Sequence, residues 1–195
     1  MKFKFIMLVG LITCSLSTLA QEKYSLNYII GVPTGETADF TCPTSFRGVG
    51  FDYTHMLNSN VGIGVSASLQ TFYDELGKVT TTSGTETITA YRFNYINSLP
   101  IYATGSYFFS NSKKLTPFVS LGIGAMYNNK QQDLGLYTLE NDAWQFSVRP
   151  EAGLDYKINY GLSFRTAIRY NYAVESGDLE GLSHLALTLG VTWNN

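Results

Sequence analysis

Eight stretches of this chain alternate apolar and polar residues with a period of two, the signature of β-strands lying between unlike environments. The clearest is Ser183–Trp193, where Leu185, Leu187, Leu189, Val191 and Trp193 oppose His184, Ala186, Thr188, Gly190 and Thr192. The first strand sets Tyr24, Leu26, Tyr28 and Ile30 on its apolar face, the second Val49, Phe51, Tyr53, His55 and Leu57, and the third Val61, Ile63, Val65, Ala67 and Leu69. The fourth runs from Tyr91 to Phe109, with Leu99, Ile101, Ala103, Tyr107 and Phe109 on one face and Asn97 breaking that face higher up. The fifth carries Pro117, Val119, Leu121, Ile123 and Tyr127; the sixth Trp144, Phe146, Val148, Ala152, Leu154 and Tyr156; the seventh Leu162, Phe164, Ile168, Tyr170 and Tyr172.

The connections alternate in length. Short polar turns fall at Asn58-Ser59-Asn60, Ser110–Lys114 and Ile158–Tyr160, and longer polar stretches at Val32–Ser45, Tyr73–Thr89, Asn128–Ala143 and Ala173–Gly181. The Tyr73–Thr89 stretch reads either as a loop or as strand continuing past the apolar band. Pro100 and Pro150 fall inside strands, where each deletes a ladder donor, and they read as bulges or bends.

Composition narrows what such a sheet can be. The chain starts with Lys2 and Lys4, an apolar run from Phe5 to Leu19 and then Ala20, which predicts a signal peptide over residues 1–20 cleaved after Ala20. Residues 21–195 form one domain with a single cysteine, Cys42, which rules out an internal disulfide. No remaining stretch shows helical periodicity or reaches the length of a membrane helix. If the chain crosses a bilayer it must therefore do so as a closed barrel, the one sheet without unpaired backbone in lipid.

Eight antiparallel strands fit a membrane barrel, with its apolar face outward, or a soluble ligand-binding barrel with that face inward. Three features favour the first. Aromatic residues sit toward both ends of the apolar face, as interfacial girdles do. The opposite face is rich in small residues, among them Gly48, Gly50, Gly62, Gly64, Gly122, Gly124, Gly153 and Gly190, as a crowded interior requires. The long connections all fall at one end, and that end is acidic: Glu36, Asp39, Asp74, Glu75, Glu86, Asp133, Glu140, Asp142, Glu175, Asp178 and Glu180 face only Lys78 and Lys130, while Lys113, Lys114 and Lys157 lie at the other end.

On this assignment Asp52, Arg92, Arg149, Glu151, Asp155, Arg165 and Arg169 point into the lumen. Folding strands six and seven about Asn159 sets Glu151 diagonal to Arg165 or Arg169, within cross-strand reach. Buried charges need partners, so a salt-bridge network is expected. Its role is a plug that stiffens the barrel, or a gate whose charges rearrange to pass ions; eight strands leave little room for a wide pore. Catalysis is not expected: His55 faces outward near the short-turn rim, and His184 neighbours Ser183, whose side chain points to the opposite face. Glu175, Asp178 and Glu180 have the oxygen chemistry for a divalent cation but lack a fixed loop motif.

Several passages resemble the OmpA/OmpX-like outer-membrane β-barrel family, its "porin family" members in particular. They are Asn97-Ser98-Leu99-Pro100-Ile101, Tyr107-Phe108-Phe109, Pro117–Gly124, Ala152-Gly153-Leu154-Asp155-Tyr156 and the closing Leu189-Gly190-Val191-Thr192-Trp193. Two departures stand out. Ser98 occupies a position that is often acidic in the family, and Asn194 and Asn195 follow the aromatic on which family chains commonly end. The resemblance implies an eight-stranded antiparallel up-and-down transmembrane barrel in the outer membrane of a Gram-negative bacterium, with both termini periplasmic. It implies lipid, lipopolysaccharide and the barrel-assembly machinery as partners, and neither a cofactor nor a nucleic-acid partner. The expected role is envelope structure or surface contact, with a narrow channel or a carrier for small or apolar solutes as the alternative.

Overall fold

Each of the eight alternating stretches forms a strand paired antiparallel with its neighbours in sequence. The strands are β1 (Glu22–Thr34), β2 (Ser45–Met56), β3 (Val61–Ser83), β4 (Glu86–Phe108), β5 (Leu115–Asp133), β6 (Thr138–Lys157), β7 (Leu162–Ala173) and β8 (Leu182–Asn194), with a one-turn helix α1 (Glu36–Phe40) between β1 and β2. In this computed structural model the described residues are 21–83, 86–109, 114–133, 138–177 and 179–194; the segment 1–20 that reads as a signal peptide lies outside them. β1 closes the sheet on β8, from Lys23 opposite Asn194 to Thr34 opposite Ser183, making an eight-stranded up-and-down barrel.

The period-two pattern is resolved with the apolar side outward. Val65, Leu69, Ile168 and Phe146 are each more than half exposed, whereas Ser25, Asn27, Ser66, Gln145 and Thr188 are buried inside. A water-soluble fold would invert this arrangement, since charged and amide side chains are rarely the ones that fill a core. So many large apolar side chains around one girth call for an apolar solvent.

The walls are unequal in height. β3, β4, β5 and β6 have 23, 23, 19 and 20 residues, against 13, 12, 12 and 13 for β1, β2, β7 and β8. The extra length all lies beyond the long-connection end. Tyr73–Thr89 is thus a strand hairpin, pairing as far as Ser83 with Glu86, rather than a loop. Asn128–Ala143 also departs from its expected loop form, because Asn128 to Asp133 pairs with Thr138 to Ala143. Where both faces are wet the apolar contrast disappears, although the backbone ladder continues. The connection after β1 holds α1, whose five residues are too few to leave a periodic trace in the sequence.

The prolines interrupt the ladder but are not bulges. β4 keeps one register past Pro100, from Ser98 opposite Gln70 to Ile101 opposite Ala67, and β6 keeps one past Pro150, from Val148 opposite Tyr172 to Glu151 opposite Arg169. Each proline interrupts the pairing without adding a residue. The true bulges lie between Glu75 and Lys78, where Gly77 takes a positive φ of 67°, and opposite Ile29–Gly31, where β2 carries one extra residue around Phe46 and Arg47.

Coiling of the sheet brings backbones close at a few points. A Cβ on Gly124 would meet the carbonyl oxygen of Ile101, while one on Gly105, which faces outward, meets nothing within 4 Å. Gly124→Val is expected to destabilise the inserted barrel by about 1–3 kcal/mol through overpacking, and Gly105→Ala by less than about 0.5 kcal/mol. Urea unfolding in lipid vesicles measures both; equal losses would contradict the assignment of inner and outer faces.

Candidate functional site: the charged lumen and its closures

β2, β6 and β7 bring four charges to one level of the lumen. Glu151 and Arg169 are direct cross-strand partners, closer than the diagonal relation expected from sequence, and Asp52 reaches them from β2. Arg169 Nη2 lies 2.5 Å from Asp52 Oδ2, and its Nε lies 3.1 Å from Glu151 Oε1. Arg149 Nη2 stands 3.4 Å from Glu151 Oε2 and 3.9 Å from Asp52 Oδ1. Two carboxylates and two guanidiniums cancel. With Arg169 only 1% exposed and Arg149 2%, bulk water screens none of this.

Neutral side chains complete the cluster. Asn27 Nδ2 donates to Asp52 Oδ2 at 2.8 Å, and Ser66 Oγ donates to Asp52 Oδ1 at 2.5 Å while accepting from Arg149 Nη1 at 2.8 Å. The Arg149 guanidinium also lies 4.8 Å from the centre of the Tyr102 ring. Tyr102 fits because Gly122 beside it has no side chain; a Cβ there would stand 3.2 Å from the tyrosine. Asn27, Ser66 and Tyr102 were not singled out from sequence. Their inward parity was visible, but their partners lie across the barrel, far away in the chain.

Asp155 and Arg165 form a separate pair one level nearer the short-turn end. Arg165 donates from Nε to Oδ1 at 2.7 Å and from Nη2 to Oδ2 at 2.8 Å, a bidentate fork. Arg92 stands apart from both groups. β4 continues past the lumen's outer end, so Arg92 sits high on the tall wall, donating from Nε to Asn94 Oδ1 at 3.3 Å beside Gln132.

Two apolar layers bracket the charges. Toward the short-turn end, Met56, Phe108, Phe118 and Ala167 pack together, with the Lys23 ammonium 3.8 Å from the Phe108 ring centre. Toward the tall end, Phe72, Ile96, Tyr102, Met126, Leu179 and Leu182 form the second layer, with Phe40 of α1 against it. The β1–β2 and β7–β8 connections fold over this layer as a lid. Ser183 N donates to Thr37 Oγ1 at 2.8 Å, Asn94 Nδ2 to the Phe40 carbonyl at 2.7 Å, and Gln145 Nε2 to the Glu180 carbonyl at 2.8 Å. Lys130 ties the tall wall to the lid through Glu180 at 3.0 Å and lies 4.3 Å from the Phe40 ring centre. Between the two layers the charged level keeps a cavity of about 10 Å³, lined by Asp52, Arg149, Glu151 and Arg165 among others. That is about the space of one water molecule.

The remaining candidates are dispersed. Ser183 Oγ bonds to the Thr34 carbonyl at 3.0 Å, whereas the buried His184 ring meets Phe72 edge-on at 5.2 Å, so the two do not form a nucleophile–base pair. Asp178 lies outside the described residues, and among those described no group of His, Cys, Asp and Glu is arranged to hold a metal ion.

Solved structures share this architecture. Neisserial surface protein A aligns with a TM-score of 0.59 at 13% identity, covering 89% of this chain and 96% of that one. Ail, the attachment invasion locus protein of Yersinia pestis, aligns at 0.56 and 11% identity, over 91% of this chain and all of that one. The N-terminal β-barrel domain of Pseudomonas aeruginosa OprF aligns at 0.51 and 15% identity, over 91% and 100%. At such identities the likeness speaks to the fold. No curated protein sequence matches the chain. The family described as "Outer membrane protein beta-barrel domain" matches residues 6–194, nearly the whole length. The chain therefore belongs to the outer-membrane β-barrel family, as one of its small eight-stranded members.

Proposed function

We propose that this protein is a non-enzymatic structural and surface-contact component of the outer membrane, its lumen closed by the charged plug. The observation that carries this reading is the stack of closures along one axis: lid, apolar layer, charge network, second apolar layer. An ion would have to part Arg169 from Asp52 and Glu151, and each separation would leave a buried charge without its partner. Such separations cost several kcal/mol, a barrier that disfavours the channel and carrier readings. Planar-bilayer recording of the refolded protein is the test. Steady conductance that Glu151→Gln alters would replace the plug with a gate.

The signal peptide over residues 1–20 and delivery by the barrel-assembly machinery fit this location. The orientation we favour has both termini and the short turns in the periplasm and the tall acidic wall outside. Cys42, exposed at the tall end, gives a direct test as the mature chain's single thiol. A membrane-impermeant maleimide is expected to label it in intact cells; labelling only after permeabilisation would reverse the orientation.

Removing one carboxylate tests the plug's energetics. Asp52→Asn leaves Arg149 and Arg169 sharing Glu151 alone, and is expected to destabilise the inserted barrel by about 3–5 kcal/mol. Replacing Asp52, Glu151, Arg149 and Arg169 together with apolar residues of similar volume is expected to cost much less. Vesicle unfolding in urea compares the two, and a quadruple variant worse than Asp52→Asn would contradict an electrostatic origin.

A further inference from the structure

β3 and β4 carry a second aromatic group on their outer face, above the lipid band. From Tyr107 at the short-turn rim, β4 climbs ten residues to Asn97, about 25 Å along the barrel axis at 3.3 Å per residue and a tilt near 40°. That is the full height of an outer-membrane apolar band. The outward residues change character at this height. Below it they are Leu69, Ala67 and Val65 on β3 and Leu99, Ile101 and Ala103 on β4; at it, Thr71 Oγ1 donates to Asn97 Oδ1 at 2.8 Å. Above it stand Tyr73, Tyr95, Phe93 and Tyr91, with Glu75.

These rings form a continuous ladder. Tyr73 lies 5.0 Å from Tyr95 and 6.3 Å from Phe93 at an interplanar angle of 13°, and Phe93 lies 6.5 Å from Tyr91 at 20°. Tyr91 is half exposed although it stands about 40 Å above Tyr107, some 15 Å past the hydrocarbon. Interfacial anchoring accounts for Tyr95 and Tyr73 but not for rings at that height. The β2 bulge turns Phe46 and Arg47 outward together and sets the Arg47 guanidinium 5.6 Å from the Tyr73 ring centre.

Flat rings with polar edges beside a guanidinium have a specific complement. The C–H face of a pyranose packs on an aromatic face, its hydroxyls meet phenol and carboxylate edges, and a phosphate on the sugar meets arginine. In the outer leaflet the molecule that places phosphorylated sugars just above the acyl chains is lipopolysaccharide. We propose that the Tyr73–Tyr95–Phe93–Tyr91 ladder with Arg47 binds the phosphorylated core saccharide of lipopolysaccharide, an assignment resting on the tall wall facing outward.

The test compares binding of core-bearing lipopolysaccharide and of lipid A without core sugars to the refolded full-length barrel in phospholipid nanodiscs. Wild type is expected to prefer the core-bearing form. Tyr91→Ser/Phe93→Ser is expected to weaken its binding about tenfold while leaving lipid A unchanged. Arg47→Gln is expected to lose affinity for the phosphorylated core but not for the same core after phosphatase treatment, and Tyr107→Ser at the opposite rim to change nothing. A heat-dependent gel shift confirms that each variant is folded; should the double variant not fold, Tyr91→Ser alone carries the test. Equal binding of both lipids by wild type, or unchanged core binding by the folded ladder variant, overturns the assignment. Either result with Cys42 still labelled in intact cells would leave the orientation standing; labelling only after permeabilisation would remove its basis instead.

Discussion

A strand facing hydrocarbon must satisfy its backbone donors and acceptors within the protein, because lipid offers none. In this chain that requirement is met where β8 pairs with β1, joining Trp193 to Tyr24 and Ser183 to Thr34. Closure fixes the rest. With eight strands the circumference is set, the interior is only wide enough for side chains, and whatever points inward must fill that space and satisfy itself. Small residues on the inner face follow from this, as does the crowding that leaves Gly124 no room for a Cβ.

Within that fixed width the inward residues sort by level. Apolar layers lie on either side of the four-charge network, and the one toward the short turns is shared with the Asp155–Arg165 pair and Lys23. The arrangement isolates the ion pairs from both aqueous sides, so Arg149, Arg169, Asp52 and Glu151 depend on one another and on Asn27 and Ser66. Breaking any one contact leaves a buried charge short of its partner, with space beside it for about one water molecule. The network is thus worth less as a sum of attractions than as a set of mutual obligations.

The inner and outer faces were legible in the sequence almost residue by residue, because hydrocarbon and lumen impose opposite demands on alternate positions. The eight strands and the order of short and long connections followed. The strand extensions Asn128–Asp133 and Thr138–Ala143 were hidden, since above the membrane both faces are polar and only backbone pairing holds them. The lid was hidden too, being built from side-chain bonds such as Gln145 to Glu180 between distant segments. Of the charged residues, Glu151 with Arg169 and Asp155 with Arg165 join as strand neighbours, a relation turn position constrains. Asp52 meets Arg169 only because the barrel closes, and Arg92 shares their inward parity but not their height. Parity is written in sequence; height along the axis depends on where each strand leaves the membrane. The inward-facing Phe72, Ile96, Phe108 and Phe118 broke the polar parity of their strands, a local sign of the two apolar layers.

The unequal wall has a consequence for crowding in the membrane plane. Where β2 and β7 stop, β3 and β6 go on, and each presents a stretch of strand edge that has no ladder partner among the described residues. Such edges invite another chain's backbone, most readily that of an identical copy. On β6 the stretch carries Glu140 and Asp142, and on β3 Asp74 and Glu75. Two copies meeting edge to edge would bring like charges together, a repulsion that opposes the knitting of neighbouring barrels into a common sheet.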